Sequence, residues 1–187
     1  MPLIKDGRLI DDPWTPVADT ATPPAEGALL ISYQTWTENR EALLRRNAPL
    51  GIRLESSQSP ALIADDIDRF DLIALDIPVF KDGRAYSYAR LLRERYGYAK
   101  ELRAVGNVLR DQYSFLHRCG FDTFEVADDA AVDTWWNALS EISHAYQPAA
   151  DSRPSILTLR QAIKGRPVPP QPDTAKVAAG NYSGGTY

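Results

Sequence analysis

The sequence predicts an α/β domain in which about five mostly parallel strands alternate with helices. Three observations carry that expectation. Short apolar runs recur at 28–33, 51–55, 71–77, 101–106 and 121–126, each of strand length. Segments of helical spacing separate them, and strand–helix alternation is the pattern of βαβ units on a parallel sheet. The chain has 187 residues, 44% of them hydrophobic and 25% charged, which suits one soluble domain with a sizeable core. An open doubly wound sheet and a partial barrel both fit this pattern, and the residues leave the two open.

Taken in order, residues 1–26 read as an arm laid on the body. Leu3-Ile4 and Arg8-Leu9-Ile10 flank Asp6-Gly7, a pair that tolerates positive φ and so signals a tight hairpin turn. A stretch rich in Pro and Asp follows. Residues 27–146 form the α/β domain. The clearest helix spans 84–96, where Ala85, Tyr88, Ala89, Leu92 and Tyr96 fall on one stripe. In the next helix Leu109, Tyr113 and Leu116 share a face and Gly120 stands at the C-terminal cap position. A further helix is expected over about 129–146, carrying Trp135, Trp136, Leu139 and Ile142. Residues 147–187 form a Pro- and Gly-rich tail, expected to be largely disordered, with one short helix at 155–164 capped by Ser155.

Composition excludes several functions. No apolar run reaches the length of a membrane span, and the first residues lack the layout of a signal peptide. The single cysteine, Cys119, cannot form an internal disulfide, so a cytoplasmic, reducing location is expected. The net charge is −4, which disfavours nucleic acid as a partner. Charge is nonetheless uneven: residues 81–118 hold nine Lys/Arg against four Asp/Glu. A basic segment in an acidic chain suits a small anion or an acidic patch on another protein; a solvated helix face with ion pairs is the plainer alternative.

Motifs are mostly absent. There is no glycine-rich phosphate loop, no CxxC and no GxSxG, and the two histidines, His117 and His144, lie on separate elements. No cofactor and no metal site is expected. Cys119 lies between Arg118 and Gly120; neighbouring cations would activate a thiol, but its helical phase favours a buried structural role.

The segment Phe80-Lys81-Asp82-Gly83-Arg84 joins the third strand to the 84–96 helix. In an open α/β sheet that connection lies at the carboxyl edge, where ligands bind. Asp82, Gly83 and Arg84, with Asn107 and Arg110 after the fourth strand, are therefore the candidate anion-binding residues. Gln34, Trp36, Ser56 and Ser57 fall at the same edge. The alternative is that Asp82 caps the helix and Arg84 simply pairs with it. Arg90 and Arg93, off the apolar stripe, and Arg118 on the next helix are candidates for a partner surface.

Residues 79–126 resemble one family as a block. Val79-Phe80-Lys81-Asp82-Gly83-Arg84-Ala85-Tyr86-Ser87-Tyr88-Ala89-Arg90-Leu91-Leu92-Arg93 opens it. Glu101-Leu102-Arg103-Ala104-Val105-Gly106-Asn107-Val108-Leu109-Arg110-Asp111-Gln112 and Arg118-Cys119-Gly120-Phe121-Asp122 complete it. Together they are similar to the bacterial family catalogued as domain of unknown function 934, and Gly51-Ile52-Arg53-Leu54 resembles that family's second strand. The resemblance implies a genetic setting beside assimilatory sulfite reductase and sulfate assimilation. It therefore implies an accessory role in sulfite reduction and cysteine biosynthesis, with sulfite reductase as the partner. The alternative is a small enzyme or sensor that binds sulfite, sulfate or an adenylylsulfate ester directly. The resemblance supplies no catalytic residue.

Overall fold

The computed structural model describes residues 1–19, 21–127, 134–135, 137–138, 145–151 and 154–164. Eight strands form one sheet in the order β2-β1-β8-β7-β6-β5-β4-β3. The five expected strands are its centre: β4 (Leu29–Ser32), β5 (Leu50–Leu54), β6 (Leu72–Ile77), β7 (Glu101–Gly106) and β8 (Thr123–Glu125). Each pairs in parallel with the next. The amino-terminal hairpin, β1 (Leu3–Lys5) and β2 (Arg8–Ile10), also forms, with Asp6 at φ 49° and Gly7 at φ 70° making the turn. It is more than an arm, because β1 extends the sheet antiparallel to β8. At the opposite edge β3 (Thr15–Pro16) pairs with β4.

Of the two architectures the sequence leaves open, the protein adopts the partial barrel. Strands that advance one place at each right-handed crossover put every connection on the same face. The core agrees. Ile31, Ile52, Ile73, Leu102, Ala104 and Phe124 pack with the helical Trp36, Ala89, Leu92 and Leu116 in one cluster. Leu3, Leu72, Ala74 and Val105, of the opposite parity, are equally buried but lie outside that cluster. The sheet thus has an outer, helix-covered face and an inner one. Its curl follows from chain length. β2 and β3 stand at opposite edges of the sheet, which laid flat would separate them by roughly 34 Å. Residues 11–14, which join them, can span only about 18 Å.

On the outer face α1 (Tyr33–Leu44) begins where the Ser32 hydroxyl accepts the Thr35 N–H at 3.0 Å. A 3₁₀ helix covers Pro60–Arg69. α2 (Arg84–Arg90) passes into a π-helical turn at Leu91–Arg95. A 3₁₀ turn (Arg110–Gln112) leads into α3 (Tyr113–Arg118). The helix expected near 155–164 is α4 (Ile156–Ile163), capped by Ser155 as anticipated; it buries none of its residues, and Ile163 is 86% exposed. Most of the helix expected at 129–146 lies outside the described residues. Within it Trp135 is buried and meets Tyr113 edge-on at 5.3 Å. The tail beyond residue 164 also lies outside them.

Candidate functional site

Register shows what the inner face presents. Ser32, Arg53, Ala74, Arg103, Thr123 and Lys5 occupy one row across adjacent strands. Side chains of one row point to one side of the sheet, so two arginines enter the concavity, separated by an alanine. Arg103 is 1% exposed and is neutralised twice, by Asp12 at 2.8 Å and by Glu101 at 3.0 Å. Thr123 donates its hydroxyl to the same Glu101 at 2.8 Å. This buried layer ties the 11–14 crossing to the floor of the barrel.

Toward the carboxyl ends the pairs become open to solvent. Arg53 on β5 reaches Asp76 on β6 at 2.6 Å, with half of the arginine side chain exposed. Beside them Ser32 and Thr35 both donate to Asp19, Thr35 at 3.1 Å. In the β6–α2 loop the Arg84 guanidinium grips Asp82 through Nε at 2.9 Å and Nη2 at 2.6 Å, and also donates to Ser56 at 3.0 Å. The Asp82 carboxylate further accepts the Arg84 N–H at 3.1 Å. These bonds from Arg84 hold the Asp82 carboxyl well below the usual carboxylate range, and the carboxylate in turn raises the arginine.

The expected site residues therefore come together only in part. Asp82, Gly83 and Arg84 form one loop at the carboxyl edge, joined by Ser56 from the neighbouring loop. Gly83, rather than Asp82, stands at the N-cap of α2. Asn107 follows β7 and donates its N–H to the Ile77 carbonyl at 2.7 Å. Arg110 donates through Nε to the Thr134 carbonyl at 3.0 Å.

The three partner-surface arginines differ. Arg90 is half exposed and pairs with Glu94 one turn on, at 2.8 Å. Arg93 is a strut. Its side chain is 13% exposed and bonds the carbonyls of Gly120 and Lys100 at 2.9 and 2.8 Å, and the Asp122 carboxylate at 2.6 Å. Arg118 is likewise mostly covered, meeting Asp151 at 3.2 Å and the Gln147 carbonyl at 2.6 Å. Cys119 is buried, and that burial pushes its thiol up despite the nearby Arg90 and Arg118. It is a packing residue in its present surroundings.

The Arg53–Asp76 pair was not among the expected residues. Its signal is a single charge inside each of two apolar strands, Gly51-Ile52-Arg53-Leu54 and Ala74-Leu75-Asp76-Ile77. A lone charge there must face the side away from the core.

A second feature of this edge is apolar. Val79 and Phe80, in the loop that carries Arg84, are 55% and 56% exposed, and Phe115 on α3 is 58% exposed. Phe115 packs on Tyr86 of α2 with ring centroids 5.2 Å apart. Among the described residues no group of three or more His, Cys, Asp or Glu could hold a metal ion, and no helix is long and apolar enough to cross a membrane. A family model described as bacterial protein of unknown function (DUF934) matches residues 51–157. No curated protein and no solved structure matches the chain.

Proposed function

Because the chain belongs to the bacterial family of unknown function DUF934, we propose that it is an accessory protein of assimilatory sulfite reduction. In this reading it works in the cytoplasm, docks on sulfite reductase and supports its assembly, electron supply or delivery of sulfite. The exposed Val79-Phe80 loop beside Arg84 is the observation that carries the docking part of this reading. Large apolar side chains held more than half in solvent suit a protein surface, and the exposed Lys81 beside them suits an acidic group on it. The partner's identity rests on the family resemblance.

The ion pairs favour docking over resident anion binding at this edge. An oxyanion bound by Arg84, with Gly83, Asn107 and Arg110 around it, would have to displace a carboxylate that already takes two of its N–H groups. Arg53 is similarly matched by Asp76.

The test has two arms. Deleting the gene should produce a strain that requires cysteine or sulfide yet still takes up sulfate. Immobilised full-length protein should retain purified sulfite reductase, and Phe80→Ser should reduce that retention. Normal growth on sulfate with unchanged sulfite reductase activity in extracts would overturn the reading.

A further inference from the structure

At the opposite, amino-terminal edge of the sheet the charge pairing breaks down. Arg40, Arg53, Arg84, Arg93 and Arg103 each meet a carboxylate at 2.6–2.8 Å. Arg46 and Arg69 do not. Among the described residues Arg46 donates only to backbone carbonyls, those of Pro24 at 3.1 Å, Pro49 at 2.7 Å and Gly27. Arg69 donates to the carbonyls of Leu43, Arg46 and Ala48 at 2.8–3.3 Å. Both side chains are partly buried, in a protein whose net charge is −4.

The two cations are close enough to feel each other. Burial and then the charge of Arg69 lower the pKa of the Arg46 guanidinium. Both line one cleft of about 440 Å³, with Leu44, Asn47, Ala48, Pro49 and Asp71. Arg46 and Asn47 also line an adjoining cleft of about 410 Å³ beside Pro23 and Pro24. The acid in the first cleft, Asp71, is shared with Lys100 at 3.0 Å and with the Leu50 N–H. Positive charge therefore exceeds negative charge in this cleft. Among the described residues the bonds from Arg69 leave through Nε and Nη2, so there Nη1 has its two donors for another acceptor.

We propose that this cleft binds a compact oxyanion of the phosphate or sulfate class between Arg46 and Arg69. Such an anion would accept from Arg69 Nη1 and from the Nη hydrogens that Arg46 has left, and would offset the repulsion between the two cations. It would also tighten the elements they hold: the segment around residues 24–27, the end of α1 and the start of β5. The expected consequence is a more stable fold in the anion-bound state. This site lies at the other end of the strands from the docking loop and stands independently of the function proposed above.

Thermal unfolding of the full chain in sodium phosphate, sodium sulfate and sodium chloride at matched ionic strength tests it. Phosphate or sulfate should raise the midpoint saturably, by about 5–10 °C at roughly a hundredfold excess over the dissociation constant. Chloride should not. The comparison of phosphate with sulfate identifies which anion is preferred. Arg69→Gln should abolish the effect. Because Arg69→Gln also removes backbone contacts, Asn47→Asp is the second variant: residue 47 is exposed, and a carboxylate there should weaken binding about tenfold by charge alone. An equal shift in chloride, a shift that never saturates, or a saturable shift unchanged in Asn47→Asp would overturn the proposal. Phe80→Ser should keep the anion effect intact, which separates this site from the docking surface.

Discussion

Arg103 and Asp12 form a two-pronged ion pair, 2.8 Å from Nη1 and 3.1 Å from Nη2, with the arginine side chain 1% exposed. It joins the middle of β7 to the four residues that bridge the two edges of the sheet. Removing one partner leaves a buried charge short of compensation. Asp12→Ala should therefore destabilise the protein by about 3 kcal/mol, at the lower end for such pairs because Glu101 still contacts the arginine. Urea unfolding measures this as a lower midpoint. A change within error of wild type would mean that the crossing is not held by this pair.

Gly106 ends β7 at φ 91°, and a Cβ there would stand 2.7 Å from the Ile77 carbonyl oxygen. Both the backbone angle and the clash oppose a side chain. Gly106→Ala should cost at least about 2 kcal/mol, read as a loss of thermal midpoint. Gly83 in the β6–α2 loop, with nothing within 4 Å of its would-be Cβ and a negative φ, should accept Ala at almost no cost.

Arg84→Ala should lower stability modestly, since the arginine side chain is half exposed but that of Asp82 is 7% exposed and would lose the guanidinium while keeping the backbone N–H of residue 84. Its signature is in titration. The Arg84 guanidinium keeps the folded Asp82 carboxyl more acidic than in the unfolded chain. The contribution of this pair is therefore complete above the unfolded value of about 3.9 and is lost as pH falls toward the folded one. In Arg84→Ala the titration midpoint of the Asp82 carboxyl resonance should move back up toward that ordinary value. No movement would show that Arg84 does not set it.

Phe80→Ser should change stability by no more than about 0.5 kcal/mol, because its ring is more than half exposed; Phe115→Ser, which also loses the packing on Tyr86, should cost about 1 kcal/mol. Retention of sulfite reductase should nevertheless fall. Soluble, fully folded variants that bind as well as wild type would move the docking surface elsewhere.

Cys119 should react with a thiol reagent about a hundredfold more slowly in the native protein than in urea. Its thiol is buried and pushed above its usual range. Rapid native labelling would mean that the α3 end opens readily.

The central strands were legible because each is an apolar run bounded by turn residues, and the Asp6-Gly7 hairpin because its turn chemistry is specific. β3 was not, since two residues ending in Pro16 read as loop. Arg93 shows a different limit. Constant helical phase puts it on an open face, but the π-helical turn at Leu91–Arg95 changes the phase and the guanidinium reaches Gly120 and Asp122. The placing of Asp82–Arg84 and of Ser56 at one edge followed from the carboxyl-edge rule, whereas the bond between Arg84 and Ser56 did not. Arg53 and Asp76 required the register, because only strand pairing says which residues share a row.

The hairpin at the start of the described chain sets an order of assembly. Leu3 and Ile4 are buried only once β1 lies against β8, where Leu3 faces Glu125 and Ile4 faces Phe124. During synthesis these residues emerge long before their partners, so their apolar side chains must wait unpaired until the last strand of the sheet is made. Contacts of such long sequence separation slow folding. They also leave the β8 edge open to other chains until the hairpin arrives. A chain cut back past Ile10 would keep that edge permanently bare and should collect as aggregate, whereas cuts beyond Ile163 should not.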